Sequence, residues 1–183
     1  MFFDRDGIVN LSPGAGYVER WEDFHLQPEF VEVLRLVTRL GFAAVVVSNQ
    51  RGVARGRMSA ATVDDMHRRL REQLRAQGGD VLDVLYCPHE RDTCDCRKPQ
   101  PGMLLRASAQ YGLDLARSWM VGDAESDVEA GRRAGCRTIR VGGDGPTRAD
   151  HRARNMADLR TQIATWLTAT PSAAVPHISK ERS

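Results

Sequence analysis

Residues 42–48 read FAAVVVS, a short run of apolar residues rich in valine. A strand that is buried on both faces has this composition, because helices cover both sides of a parallel sheet. Apolar residues at helical spacing precede the run over residues 29–40, and they follow it from residue 59 to about residue 77. This alternation predicts a doubly wound (Rossmann-like) parallel α/β sheet with helices on both faces.

The same alternation continues along the rest of the chain. Further predicted strands cover residues 1–3, 81–86, 119–121 and 137–141, and further helices cover residues 102–112, 125–134 and 156–167. We predict one domain over residues 1–167 and a disordered tail at residues 168–183, which are small, polar and proline-containing. No long insertion follows the first or second strand, so no large cap domain is expected.

The net charge and the hydropathy of the chain limit the classes of partner that it is expected to bind. The formal net charge of +2 does not favour binding to nucleic acid or to a membrane surface. No stretch approaches the roughly 20 apolar residues of a membrane span, and the first residues do not resemble a signal peptide. We therefore expect a cytoplasmic protein, a monomer, whose partner is a small molecule. In that compartment the four cysteines are thiolates or metal ligands rather than disulfides.

Polar residues follow four of the predicted strands. Each group on its own is explained equally well as a turn or a helix cap. The carboxyl ends of parallel strands meet at one edge of the sheet, where ligands bind in this class of fold. We therefore expect the four groups to form one site, and they are Asp4 with Asp6, Ser48 to Gln50, Arg97 with Lys98, and Gly122 with Asp123.

The side chains of these groups suit phosphoryl transfer. Residues two apart in an extended segment point to the same side, so Asp4 and Asp6 can face one pocket. Together with Asp123 they make an all-oxygen site suited to Mg²⁺. One carboxylate can attack phosphorus and a second can protonate the leaving oxygen, while Lys98 and Ser48 balance the phosphoryl charge.

A second group of residues has the composition of a zinc site. Cys87, His89, Cys94 and Cys96 offer four soft ligands within ten residues. With all four positions filled by protein, the predicted zinc is structural. The alternative is a set of unrelated thiols in a loop. Cys136 lies outside this group and is predicted to be a small buried residue.

The four polar motifs DRDG, SNQ, RKPQPG and VGDAESD resemble those of the haloacid dehalogenase-like phosphohydrolases. The segments GYVERWEDF, VVVSNQRGVARG, YCPHE and CDCRKPQPGMLL are similar to the heptose bisphosphate phosphatases of that superfamily. The histidinol-phosphate phosphatases are near relatives that share the four motifs and the zinc loop. The resemblance extends from residue 1 to about residue 143.

The resemblance implies a Mg²⁺-dependent phosphatase with a structural Zn²⁺ and a role for each matched residue. Asp4 would be the nucleophile, and Asp6 the general acid and then the base. Asp4, Asp123 and the backbone carbonyl of Asp6 would bind Mg²⁺. The phosphoryl group would be held by Ser48, Asn49 and Lys98. The residues near the sugar or its second phosphate would be Gly16, Tyr17, Gln50, Arg51 and Arg97.

The implied reaction converts D-glycero-D-manno-heptose 1,7-bisphosphate into heptose 1-phosphate, in the biosynthesis of nucleotide-activated heptose. One alternative is a histidinol-phosphate phosphatase. Ala124 stands where heptose bisphosphate phosphatases often carry a lysine, which weakens the preference for heptose. A second alternative, from another class, is a catalytically silent binding protein with the same fold.

Some positions carry weaker expectations. The first strand is shorter than in the family, so we expect lower stability than in relatives. Residues 150–155 are polar where the family has an apolar strand, and a frayed sheet edge is expected there. Asp127 is interpreted as a helix cap or a support for the site rather than a metal ligand. Surface or structural roles are expected for His25, His67, His151 and His177.

Overall fold

The computed structural model describes residues 1–168, so the tail predicted at residues 168–183 lies outside it except for its first residue. Strands and helices alternate over this range. The strands are β1 (Phe2–Asp4), β2 (Val45–Asn49), β3 (Asp83–Cys87), β4 (Trp119–Gly122), β5 (Arg137–Val141) and β6 (His151–Ala153). The helices are α1 (Pro28–Arg39), α2 (Ala60–Ala76), α3 (Gly102–Tyr111), α4 (Glu125–Arg133) and α5 (Met156–Thr168).

The strands of residues 1–168 form one parallel sheet in the order β3-β2-β1-β4-β5-β6. The chain moves outward from β1 to β3 and then returns past β1 to β4. Phe3 is paired with Val46 of β2 on one side and with Val121 of β4 on the other. The carboxyl end of β1 therefore lies at the topological switch point, where doubly wound sheets bind their ligands.

Successive residues of β1 contribute to opposite faces of the sheet. Phe3 packs in a large core together with apolar residues of α1, α2 and α5, whereas Phe2 packs in a second core with residues of α3. Both phenylalanines are completely buried. Helices cover both faces, as the apolar character of the strands predicted.

Two strands begin at least two residues later than predicted, and the other strand boundaries differ by at most one residue. β2 begins at Val45 rather than at Phe42, because the N–H of Phe42 donates to the carbonyl of Val37 and belongs to the end of α1. Gly41, with a φ of 84°, makes this helix ending possible. β3 begins at Asp83 rather than at Val81 and extends to Cys87.

The expected fraying of the sheet at residues 150–155 is wrong. β6 forms there and pairs with β5 over three residues. Asp150 accepts hydrogen bonds from the backbone N–H and the hydroxyl of Thr138, at 2.7 and 2.9 Å. The ring of His151 stacks on Trp166 with 4.8 Å between the centroids. Side-chain contacts therefore replace the apolar pattern that usually marks an edge strand.

The connections on the carboxyl side of the sheet are loops without a folded insertion of their own. Residues 5–27, between β1 and α1, contain one short 3₁₀ helix, Trp21–Asp23, and residues 50–59 connect β2 to α2. Within the part of the chain that is described, no large cap domain is inserted, as predicted. The same part contains no helix that is both long enough and apolar enough to cross a membrane.

Candidate active site

The four predicted polar groups meet at the carboxyl edge of the sheet. Asp4 ends β1, Ser48 and Asn49 end β2, and Asp123 directly follows β4. Lys98 reaches the same place from the loop between β3 and α3. These residues line a cavity of about 300 Å³, whose wall also includes Asp6, Gly16, Tyr17, Gln50, Ala124, Ser126 and Asp127.

Lys98 is the buried cation of this cavity. Its Nζ lies 2.5 Å from Oδ1 of Asp4 and 2.8 Å from Oδ1 of Asp127, and it donates to the carbonyl oxygen of Val47 at 3.1 Å. Burial opposes the positive charge, but Asp127 and Asp4 outweigh it and raise the pKa of Lys98 above its ordinary value. The lysine therefore remains charged beside the carboxylate at the end of β1.

Three carboxylates converge around this lysine. Asp4, Asp123 and Asp127 each place an oxygen within 4.8 Å of the others. Burial raises the pKa of Asp4 to about 8, and the negative charges of Asp127 and Asp6 add to the rise while Lys98 opposes it. Burial, followed by the charge of Asp127, raises the pKa of Asp123 to about 6. One lysine does not balance this charge, and an oxygen-only site of this kind fits Mg²⁺.

Asp127 has a second contact that limits its use as a metal ligand. Its Oδ2 accepts from the backbone N–H of Ala124 at 3.0 Å, which caps α4, while its Oδ1 faces Lys98. The interpretation of Asp127 as a cap is confirmed, and its contact with Lys98 adds an orienting role. The Asp6 carboxylate lies outside the three-carboxylate cluster.

Two glycines leave the space that these carboxylates occupy. A Cβ on Gly7 would lie 2.2 Å from Oδ2 of Asp123, and a Cβ on Gly122 would lie 2.3 Å from Cβ of Asp127. Gly7 also has a φ of 93°, which side chains rarely tolerate. The side chains of Asp123 and Asp127 therefore leave no room for a residue larger than glycine at position 7 of the DRDG motif and at position 122 of the VGD motif.

The carboxylate of Asp6 is held by three side chains. Arg5 donates to it from Nε at 3.1 Å and from Nη2 at 3.0 Å, Asn10 donates at 3.0 Å, and Gln50 donates at 3.1 Å. The Asp6 side chain is 24% exposed, whereas that of Arg5 is fully buried. Arg5 belongs to the polar group after the first strand, but no role was predicted for Arg5 or Asn10, because neither residue type is specific to phosphoryl chemistry.

The SNQ segment also orients other groups. Nε2 of Gln50 donates to the hydroxyl of Ser48 at 2.6 Å, so the hydroxyl proton of Ser48 is free to point into the cavity. The amide of Asn49 forms a reciprocal pair with the backbone N–H and carbonyl of Lys98, both at 3.0 Å. Asn49 thus fixes the loop that carries the lysine.

The residues predicted near the sugar divide into two groups. Gly16 and Tyr17 line the main cavity. Arg51 lies beside it, 3.3 Å from the hydroxyl of Tyr17 and 3.3 Å from Glu90. Arg97 lines an adjoining cavity that shares Asn49, Lys98 and Ser126 with the main one.

The predicted zinc ligands are brought together in the loop after β3. Sγ of Cys87 lies 3.5 Å from Nδ1 of His89 and 3.5 Å from Sγ of Cys94, and Cys96 lies 3.3 Å from His89 and 3.4 Å from Cys94. A tetrahedral zinc with Zn–S bonds of about 2.3 Å separates its sulfur ligands by about 3.8 Å. The four atoms therefore fit such an ion. Cys136 is buried in the second core, as predicted.

The histidines expected to have surface or structural roles include one close to the site. Nε2 of His67 lies 3.3 Å from Nη1 of Arg5, and His67 is buried. Its position in the sequence carries no signal for this contact, because 62 residues separate the two partners. His177 lies outside the described residues.

Curated relatives are similar to this chain over most of its length. A family model described as HAD-hydrolase-like matches residues 95–168. A D-glycero-beta-D-manno-heptose-1,7-bisphosphate 7-phosphatase from Pseudomonas aeruginosa is 40% identical over 77% of this chain and 79% of its own length. A D-glycero-alpha-D-manno-heptose-1,7-bisphosphate 7-phosphatase from Photorhabdus laumondii is 36% identical over 77% of this chain and 82% of its own length.

Solved structures agree with these relatives. The D,D-heptose 1,7-bisphosphate phosphatase from B. bronchiseptica, complexed with magnesium and phosphate, has a TM-score of 0.81 at 30% identity and covers 91% of this chain and 98% of its own. A HAD-like phosphatase from Mesorhizobium loti has a TM-score of 0.81 at 31% identity, over 94% of this chain and 88% of its own. This chain belongs to the heptose 1,7-bisphosphate phosphatase family of the haloacid dehalogenase-like hydrolases.

Proposed function

We propose that the protein removes the 7-phosphate of D-glycero-D-manno-heptose 1,7-bisphosphate, and that Asp4 carries the phosphoryl group between two steps. The observation that carries the chemistry is the buried contact between Lys98 and Asp4 at the topological switch point of the sheet. The names of the relatives support the choice of substrate.

In the first step, an oxygen of the Asp4 carboxylate attacks phosphorus and the bond from phosphorus to the C7 oxygen breaks. Lys98, from the loop after β3, and the hydroxyl of Ser48, at the end of β2, both line the cavity and would stabilise the charge of the transferring group. Asp6 lines the same cavity and would give a proton to the departing sugar oxygen.

In the second step, Asp6 takes a proton from water as the water oxygen attacks the phosphorus. The bond between phosphorus and the Asp4 oxygen breaks, which returns the carboxylate and releases inorganic phosphate. The proton gained by Asp6 replaces the one given to the sugar in the first step. Hydrogen bonds from Arg5, Asn10 and Gln50 keep Asp6 in one orientation through both steps.

Two metal ions belong to the proposal. Asp4 and Asp123, with the backbone carbonyl of Asp6, would hold Mg²⁺, which supplies positive charge to the phosphoryl oxygens when bound. Asp127 would orient Lys98 rather than bind the metal, because both of its oxygens already accept hydrogen bonds. Zn²⁺ on Cys87, His89, Cys94 and Cys96 would fix the loop that leads into Arg97 and Lys98.

The second phosphate of the substrate would meet the arginines beside the cavity. Arg51 and Arg97 approach it from two loops, and Gly16 and Tyr17 form the wall near Arg51. The proposal also includes a cytoplasmic monomer with one domain over residues 1–167. The convergence of four zinc-ligand atoms supports a reducing compartment, because thiolates bind zinc only when they are not oxidised.

The test of the proposed function is phosphate release from two substrates measured side by side with Mg²⁺. We expect heptose 1,7-bisphosphate to be preferred over histidinol phosphate by about 100-fold in kcat/KM, which corresponds to about 2.7 kcal/mol in the transition state. Comparable weak turnover of both substrates would contradict the heptose assignment and retain the phosphatase chemistry.

An Asp4→Asn variant tests the nucleophile directly. An enzyme that works through Asp4 loses hydrolysis, whereas a silent binding protein has no hydrolysis to lose and continues to bind the sugar. Acid-stable trapping of labelled phosphate on the wild-type chain, but not on the variant, would support the covalent step. Full activity in Asp4→Asn would contradict it.

A further inference from the structure

A buried series of contacts runs from Asp6 to helix α2. Arg5 forks onto the carboxylate of Asp6, with Nη2 at 3.0 Å from both oxygens, and its Nη1 lies 3.3 Å from Nε2 of His67. We propose that His67 is a positioning residue for the acid–base group Asp6, acting through Arg5. The inference rests on the role of Asp6 in the proposed function.

His67 faces Arg5 as a hydrogen-bond acceptor. A guanidinium group has only donors, so the proton of the neutral imidazole must lie on Nδ1 and the lone pair of Nε2 must face Arg5. Burial lowers the pKa of His67 to about 3, and the charge of Arg5 lowers it further. The ring is therefore neutral at physiological pH and is suited to accept.

The N–H groups on both sides of the Arg5 guanidinium need hydrogen-bond acceptors. Its side chain has no exposed surface, so each N–H that loses its partner stays unsatisfied inside the protein. The Nε and Nη2 groups of Arg5 donate to Asp6, and its Nη1 group donates to His67. The ring of Phe24 lies 5.8 Å from Cζ of Arg5. With both ends engaged, the guanidinium plane has one orientation, and Asp6 takes its direction from that plane.

The position of His67 is itself fixed by packing. α2 buries Val63, Met66 and Leu70 against the same core as Phe3 of β1. The ring of His67 also contacts the ring of Tyr86 edge-on, with 5.5 Å between centroids and an angle of 69°. The packing of α2 on the sheet therefore fixes the position of Nε2 of His67. Arg5 contacts this nitrogen and in turn orients the carboxylate of Asp6.

A changed direction of Asp6 affects leaving groups unequally. A sugar alkoxide is strongly basic and needs the proton of Asp6 as it departs. p-Nitrophenolate is weakly basic and departs without one. Loss of the acceptor at position 67 should slow transfer from the sugar phosphate and spare transfer from p-nitrophenyl phosphate.

The experiment compares the first-step rates of these two substrates in rapid-quench measurements on the full chain with Mg²⁺. His67→Phe removes the acceptor and keeps a ring against Tyr86, while His67→Gln restores an acceptor at a similar reach. Leu70→Ala, which opens a cavity under the same helix at a side chain that has no hydrogen-bonding group, controls for loosening of α2. A reduced folded fraction lowers the amplitude of the first step equally for both substrates and leaves its rate constants unchanged, so the ratio of the rates reports only on the site.

We expect His67→Phe to lower the ratio of sugar-phosphate rate to p-nitrophenyl phosphate rate by roughly ten-fold, a part of the roughly 100- to 10,000-fold that a general acid contributes. His67→Gln should regain most of this loss, and Leu70→Ala should leave the ratio unchanged. An unchanged ratio in His67→Phe, or no recovery in His67→Gln, would overturn the role of His67 alone. Absence of wild-type activity on either substrate would overturn the proposed function, and the role of His67 with it.

Discussion

The Nζ atom of Lys98 lies 2.5 Å from Oδ1 of Asp4, the carboxylate that ends the central strand. The contact joins a strand end to a loop 94 residues away, and both side chains are almost completely buried. A buried cation beside two carboxylates is weak evidence for stability, because hydrophobic residues often replace such groups at no cost. Its position in the cavity agrees instead with the role in phosphoryl transfer proposed for it.

Lys98→Met is expected to lower both stability and turnover. The substitution keeps the volume but leaves Asp4 and Asp127 without their counter-charge, which costs about 3 kcal/mol in the free energy of unfolding. Turnover should fall at least about 100-fold, because the phosphoryl group loses its fixed positive charge. Urea unfolding and phosphate release measure the two effects.

The double variant Lys98→Met with Asp127→Asn separates these effects. Removing one of the two uncompensated carboxylates should restore part of the lost stability and none of the lost turnover. Recovery of activity in the double variant would show that Lys98 acts only by neutralising Asp127.

Asp123 gives the metal-free protein a pH-dependent stability. Its pKa is about 6 in the folded chain against an ordinary 3.8, so the unfolded chain loses the proton first. The contribution of Asp123 to stability is therefore greatest below about pH 4, falls as the pH rises through about 6, and stays low above that. Without Mg²⁺ at pH 7.5, Asp123→Asn should be more stable than the wild type by about 1–2 kcal/mol.

The comparison at two pH values and with Mg²⁺ checks this explanation. At pH 4 the difference between Asp123→Asn and the wild type should nearly disappear, because both side chains are then neutral. Addition of Mg²⁺ at pH 7.5 should raise the Tm of the wild type more than that of the variant. A destabilised variant in the absence of Mg²⁺ would mean that burial does not penalise the Asp123 charge.

Much of the fold and of the site follows from local patterns. The apolar run before Asn49 predicted a strand buried on both faces, and strand ends in a parallel sheet converge whatever the details of packing. The grouping of Asp4, Ser48, Lys98 and Asp123 could therefore be predicted without coordinates. The four zinc-ligand positions lie within ten residues, so their convergence is also a local matter.

Contacts set by packing could not be predicted in this way. The distance between Arg5 and His67 depends on how α2 lies on β1, and His67 lies in none of the motifs. Residues 150–155 were misjudged for a related reason, since the hydrogen bonds of Asp150 and the stacking of His151 replace the apolar pattern. Apolar periodicity identifies buried apolar residues, but it does not detect buried polar side chains whose hydrogen-bond partners are distant in the sequence.

Gly7→Ala is expected to displace Asp123. The new Cβ would lie 2.2 Å from Oδ2 of Asp123, and the backbone φ of 93° adds strain. Half-maximal activity should require at least about ten-fold more Mg²⁺, equivalent to about 1.4 kcal/mol of lost metal affinity. Titration of phosphate release with Mg²⁺ measures this.

Gly112→Ala is the matched control for backbone strain. Gly112 has a φ of 64°, ends α3 and has no atom within 4 Å of the added Cβ. It should lose about 1 kcal/mol of stability and keep the Mg²⁺ dependence of the wild type. If both alanine variants shift the Mg²⁺ requirement alike, strain rather than the clash with Asp123 is responsible.

Cys94→Ser is expected to release zinc and loosen the loop after β3. Cys94 contacts both Cys87 and Cys96, so its loss opens the tetrahedral set. Zinc content measured by elemental analysis should fall from about one ion per wild-type chain to near zero, with a lower Tm. Turnover should fall because the same loop carries Lys98.

Cys136→Ser is the control, because Cys136 is a thiol outside the zinc-ligand set, and this variant should keep its zinc. A wild-type chain that folds without zinc would refute the site.

Arg51→Gln and Arg97→Gln test the place of the second phosphate. A charge-assisted hydrogen bond to phosphate is worth about 1.5–3 kcal/mol, so each variant should raise KM for heptose 1,7-bisphosphate at least about ten-fold. KM for a sugar monophosphate that lacks the second group should stay unchanged in both variants. Arg68→Gln removes an arginine that is ion-paired on the surface of α2 and should leave both KM values unchanged. An unaltered KM for the bisphosphate in the Arg51 and Arg97 variants would place the second phosphate elsewhere in the cavity.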